Sequence, residues 1–145
     1  LHSGGVNVAI LTKGGGKSVR DFDLMTASDK YGATLTFLSD ADSREWEPGA
    51  ALPTERIEAL KQAKARGITT WASFEPVIDP EQTLKLIKMT QGIVDIYKVG
   101  KWNHDKRANG IDWKSFAVRA KALLDKMGAQ YMIKKDLAAY LEAAA

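Results

Sequence analysis

Gly67-Ile68-Thr69-Thr70-Trp71-Ala72-Ser73-Phe74-Glu75-Pro76 decides the fold. A glycine closes an amphipathic stretch, a run of β-branched and aromatic residues follows, and a Glu-Pro pair ends it. A glycine just past a helix accepts left-handed backbone without a Cβ penalty, so the chain can turn there and enter a strand. The run has no polar alternation, as expected of a strand covered on both faces.

The same grammar recurs along the chain. Gly32 precedes an apolar run over 33–38, Gly92 one over 93–99, and Gly128 one over 129–133, while a fifth run over 6–11 comes before them all. Helical patterns lie between the runs. Asp79 is placed to cap one, with Pro80 at N1, Gln82 positioned for a capping box, and Leu84, Ile87 and Met89 on its core side. Asp112 caps another, with Phe116, Val118, Ala120, Leu123, Leu124 and Met127 at roughly helical spacing. Pro53 opens a third. Ser18 is placed to cap one from Val19 to about Lys30, and a short last helix follows Asp136.

Single helices alternating with strands indicate parallel pairing. The fold class is therefore α/β: about five βα units forming either a partial (half) βα barrel or an open doubly wound sheet. Residues 5–142 read as one domain. Residues 1–4 and 143–145 read as tails left by truncation or cloning. A sector alone exposes strand edges and one sheet face, which predicts pairing with a second copy or with a complementary barrel half.

Composition narrows the chemistry. The 145 residues are 45% hydrophobic and 27% charged, ordinary for a globular domain. No apolar run approaches the ~20 residues of a membrane span, and nothing at the N-terminus reads as a signal peptide, so the expected location is the cytoplasm. The chain has no cysteine, which removes disulfides, thiolate metal sites and a Cys nucleophile. A net charge of +3 permits nucleic acid without arguing for it.

In either architecture ligands bind beyond the strand carboxyl ends, and those loops are the polar ones. Gly14-Gly15-Gly16-Lys17-Ser18 has the outline of a phosphate loop. A Walker A loop needs glycine where Leu11 stands, so a turn capping a helix is the preferred reading, with a small anion- or nucleotide-binding module as the alternative. Asp40, Asp42, Glu45 and Glu47 could attract a hard cation, but Arg44 lies among them and no ligand spacing repeats, so a solvated loop with local ion pairs is preferred. His104 beside Asp105 leaves catalytic and ordinary readings open. Trp46, Trp71, Trp102 and Trp113 read as packing residues, with Trp46 and Trp102 also able to stack on a ligand.

Several segments together carry a family resemblance. Ile10-Leu11-Thr12-Lys13-Gly14, Arg20-Asp21-Phe22-Asp23-Leu24, Glu47-Pro48-Gly49-Ala50, Arg56-Ile57-Glu58-Ala59-Leu60 and Glu75-Pro76-Val77-Ile78 resemble radical SAM enzymes of the spore photoproduct lyase or "DNA repair photolyase" group. Val99-Gly100-Lys101-Trp102-Asn103-His104, Ile111-Asp112-Trp113 and Ile133-Lys134-Lys135-Asp136-Leu137 are similar to a phage and bacterial branch of that group.

The resemblance implies the C-terminal portion of a partial (βα)6 barrel that binds S-adenosylmethionine near its strand carboxyl ends. The CxxxCxxC loop that would hold an iron–sulfur cluster is lacking. It further implies that Lys13 and Thr36 contact the cofactor, and that Arg56, Glu47 and Glu75 order the loops or face the ligand. Without thiolates there is no cluster on this chain, and without a cluster no reductive cleavage. The expected protein is a folded sector without radical activity of its own. It either associates with itself or serves as one subunit of a split enzyme completed by a cysteine-bearing chain.

Overall fold

The computed structural model describes residues 4–142; of the tails expected at 1–4 and 143–145, residues 1–3 and 143–145 lie outside the described residues. Five strands, β1 (Ala9–Thr12), β2 (Lys30–Thr34), β3 (Thr69–Phe74), β4 (Ile96–Val99) and β5 (Gln130–Ile133), form one sheet in sequence order. Every pair is parallel. The intervening helices are α1 (Asp40–Trp46), α2 (Pro53–Ala65), α3 (Pro80–Met89), α4 (Trp113–Lys126) and α5 (Lys135–Glu142). Strands added one after another along the sheet, with no reversal of order, are the topology of a barrel sector rather than of a doubly wound sheet.

Strand alternation separates two faces. Tyr31, Ala33, Ala72, Phe74, Tyr97 and Val99 turn toward the helices and pack with Leu60, Leu86, Ile87, Ala120 and Leu124 into one buried core. Phe74 and Tyr97 stack across β3 and β4 at 6.0 Å. The alternate residues form the opposite face in register rows. One row is Leu11, Gly32, Trp71, Ile96 and Gln130, and the next contains Thr34, Ser73, Lys98 and Met132. At the margins of that face Leu11 and Met132 are exposed.

Gly67, Gly92 and Gly128 occupy positive φ, as their places after α2, α3 and α4 predict. Asp79 caps α3 by accepting from the amides of Glu81 and Gln82, and Asp112 caps α4 through Ser115.

The structure corrects several expectations. Gly32 is not a helix terminator but lies inside β2, because the Trp71 ring covers it and a Cβ there would fall 2.4 Å from that ring. The helix expected from Val19 to Lys30 is instead a 3₁₀ segment, Gly15–Leu24, with no side-chain cap from Ser18. It stops early because the buried Asp29 carboxylate takes the amides of Thr26 and Val8, at 2.7 Å each, and so folds a turn onto the start of β1. Met89 and Val118 point outward rather than into the core. Residues 40–46 form a helix where a loop was expected, since Ser39 accepts from the Asp42 amide and caps it. Among the described residues no helix is long and apolar enough to cross a membrane.

Candidate site at the strand carboxyl ends

The carboxyl ends of β1 and β2 converge on Glu47. Its Oε1 accepts from Lys13 Nζ at 2.7 Å and from Thr36 Oγ1 at 3.1 Å. Its Oε2 accepts from Arg56 Nη2 at 2.6 Å and from Ser43 Oγ at 3.4 Å. Lys13, Thr36, Glu47 and Arg56, singled out from the sequence, therefore meet in one cluster, although each belongs to a different segment.

Arg56 anchors the cluster because Pro53 starts α2 and places Arg56 on its first turn. From there Nε donates to the Ala51 carbonyl at 2.8 Å and Nη1 to the Thr34 carbonyl at 2.9 Å. A planar guanidinium suits this fork of acceptors; an ammonium would not. Burial alone would raise the Glu47 carboxyl. The hydrogen bonds and charges of Arg56 and Lys13 outweigh it and hold the group below its usual range.

Exposure sorts these residues by what they can reach. The side chains of Arg56 and Glu47 are 1% and 7% exposed, whereas Lys13 is 42% exposed. Thr36 is buried with its hydroxyl already given to Glu47. Lys13 alone among the four presents its charge to solvent. Beside it opens a cleft of about 660 Å³ bounded by Gly14, Lys17, Gly49, Ala51 and Glu55, within the size range of small-molecule sites.

Glu75 stands apart from this cluster. It follows β3 and accepts from Lys134 Nζ at 2.7 Å, joining the ends of β3 and β5. Gly100 lies beneath it, where a Cβ would fall 2.0 Å from the Glu75 carboxylate.

The remaining candidates are taken up by local partners. Trp46 and Trp102 meet edge to face at 5.7 Å, and the Arg107 guanidinium lies over both rings at 4.7 and 5.2 Å. Arg107 also grips Asp105 at 2.7 Å, so Asp105 does not pair with the exposed His104. Asp42 accepts from Gln82 Nε2 at 2.7 Å. Among the described residues no group of three or more His, Cys, Asp or Glu could hold a metal ion.

Gln82 was missed as a tertiary contact. Its Oε1 accepts from the amides of Leu38 and Ser39 at 2.7 and 2.9 Å, tying α3 to the segment between β2 and α1. Its nearness to Asp79 in sequence pointed only to a local cap.

No family model matches the chain, and no curated protein resembles it significantly. Solved structures do. SuiB of Streptococcus suis bound to S-adenosylmethionine superposes with a TM-score of 0.65 at 13% identity, over 91% of this chain and 34% of SuiB. SuiB bound to the precursor peptide SuiA gives a TM-score of 0.67 at 12% identity, over 94% and 34%. The chain thus spans about a third of the length of these relatives. At such identity the likeness is one of fold, and it does not single out the photolyase group: the chain has the α/β partial-barrel architecture of the matching third of SuiB.

Proposed function

We propose that this chain is the cluster-free sector of a radical-SAM-like barrel, holding S-adenosylmethionine at its strand carboxyl ends and dependent on another segment or chain for redox chemistry. The observation that carries this reading is the Lys13 ammonium, held on buried Glu47 at the mouth of a cleft, in a fold shared with SuiB, one structure of which is bound to S-adenosylmethionine.

The residues fit the two groups differently. A [4Fe-4S] cluster needs thiolates, and the sequence contains none, so no step is assigned to a cluster here. S-adenosylmethionine offers a carboxylate that an ammonium can pair with, and when bound it supplies a sulfonium centre. Lys13 binds that carboxylate. Glu47 holds Lys13 in place and keeps its own charge balanced by Arg56, so Lys13 can share its protons with a ligand without stranding a buried anion. Glu75 and Lys134 order the far end of the same rim. The apolar residues Leu11 and Met132, exposed at the margins of the open sheet face, favour a covering partner, either the complementary half or a second copy.

Calorimetric titration with S-adenosylmethionine tests the reading. A saturable isotherm is expected, weakened about tenfold or more in Lys13→Ala, in line with the loss of one charge-assisted hydrogen bond. No heat with a folded chain overturns it. Saturable binding of ATP with silence for S-adenosylmethionine would instead favour the anion-binding module built on Gly14, Lys17 and Lys13. Light scattering after size exclusion tests the partner: a monomer that persists to low micromolar removes self-association.

A further inference from the structure

We infer that the open face of the sheet carries a second binding site, for an oxyanion (a carboxylate or a phosphate), centred on Lys98. Lys98 lies on β4 and alternates with the buried Tyr97 and Val99, so its side chain rises from the face opposite the helices. Its neighbours in register are Ser73 on β3 and, beyond it, Thr34 on β2. These three side chains form a polar row across adjacent strands, next to the row of Leu11, Gly32, Trp71 and Ile96.

Every group in that row can donate, and among the described residues no carboxylate pairs with any of them. The Lys98 ammonium lies 4.4 Å from the centre of the Trp71 ring, and among the described residues it is in no ion pair. Glu75, which follows β3, is already engaged by Lys134. Among the described residues the Trp71 indole Nε1 is buried and has no hydrogen-bond partner, an arrangement that is unfavourable unless a ligand or water completes it. The Trp71 ring lies directly over Gly32, where a Cβ would displace it. The Lys98 ammonium and the hydroxyls of Ser73 and Thr34, beside a buried indole N–H left without a partner, can answer a group that only accepts; an oxyanion is such a group. A cation–π contact alone would explain the Lys98 ammonium over the Trp71 ring, but not a row of donors without an acceptor.

This site does not depend on the reading of Lys13. The test uses the full ¹⁵N-labelled chain and follows the Trp71 indole N–H resonance, assigned by its loss in Trp71→Phe. Titration with inorganic phosphate, and separately with acetate, should move that resonance saturably and leave the Trp46 indole in place. Response to phosphate alone marks a phosphate site, and response to both marks a general oxyanion site. Lys98→Met, which keeps an unbranched side chain but removes the charge, should abolish the movement, and Ser73→Ala should weaken it several-fold. If Lys98→Met does not fold, Lys98→Gln serves the same purpose. A Trp71 resonance unmoved by either anion, or one that moves equally in the Lys98 variant, overturns the inference. Lys13→Ala should leave this titration unchanged, so failure here and failure of S-adenosylmethionine binding are read separately.

Discussion

Arg56 and Glu47 form a buried ion pair, Nη2 to Oε2 at 2.6 Å, in which the guanidinium also holds the Thr34 and Ala51 carbonyls. The pair bolts α2 to the end of β2. Removing either partner leaves the other charged and withdrawn from water, which typically costs about 3–5 kcal/mol. Glu47→Ala and Arg56→Met should therefore both lose stability on that scale in urea unfolding. Lys13→Ala, whose ammonium is already half in solvent, should lose about 1 kcal/mol or less. Near-equal losses for Lys13 and Arg56 variants would show that the pair does not organise this rim.

The same cluster sets an acid response. The Glu47 carboxyl is held below its ordinary value of 4.5 in the folded chain, so across that interval the unfolded chain binds more protons. Its stabilising contribution is complete above the unfolded value and is lost as pH falls through the lower, folded one. Asp95 behaves alike. Burial would raise it, but Lys64 and the Thr70 amide outweigh burial and lower it from 3.8. Unfolding free energy should decline as pH drops below about 4.5, and the slope should flatten in Glu47→Gln. Equal slopes for parent and variant would remove Glu47 as the group responsible.

Gln82 is the least visible element of the site in the sequence, and it yields a sharp test. Gln82→Leu strands the amides of Leu38 and Ser39, two donors lost from the junction of β2 and α1, for an expected cost of about 1–3 kcal/mol. Gln82→Glu keeps the acceptors but places a carboxylate beside Asp79 and Asp42, whose oxygens now accept from Nε2 at 2.9 and 2.7 Å. It should be destabilised at neutral pH and recover on acidification. Hydrogen exchange at the Leu38 and Ser39 amides locates the effect.

Much of this architecture can be read from the chain. Short apolar runs after Gly67, Gly92 and Gly128, and caps at Asp79 and Asp112, are local signals with local causes. The failures share one cause, a contact made at long range. Gly32 looks like the other glycines until Trp71, on the neighbouring strand, is laid over it. The segment before β2 has helical spacing until Asp29 turns back to Val8. The convergence of Lys13, Thr36 and Arg56 on Glu47 has no spacing of its own. Those residues could be gathered only through resemblance, and which of them reach solvent became evident only from burial in the fold.

The Gly32–Trp71 contact supplies the last prediction. Replacing Gly32 with alanine drives a Cβ to 2.4 Å from the Trp71 ring, which is backed by the sheet and faced by Lys98. The ring must tilt, and overpacking of this kind costs about 1–3 kcal/mol. Alanine otherwise suits a strand as well as glycine or better, since it narrows the unfolded ensemble. In a Trp71→Leu background, with no ring to displace, Gly32→Ala should therefore become neutral or stabilising. A double-mutant cycle would then show coupling of about 1 kcal/mol or more. Additive losses would mean that the ring does not rest on Gly32. The tilt should also shift the Trp71 indole N–H resonance in Gly32→Ala before any anion is added, which separates displacement of the ring from ligand binding beside it.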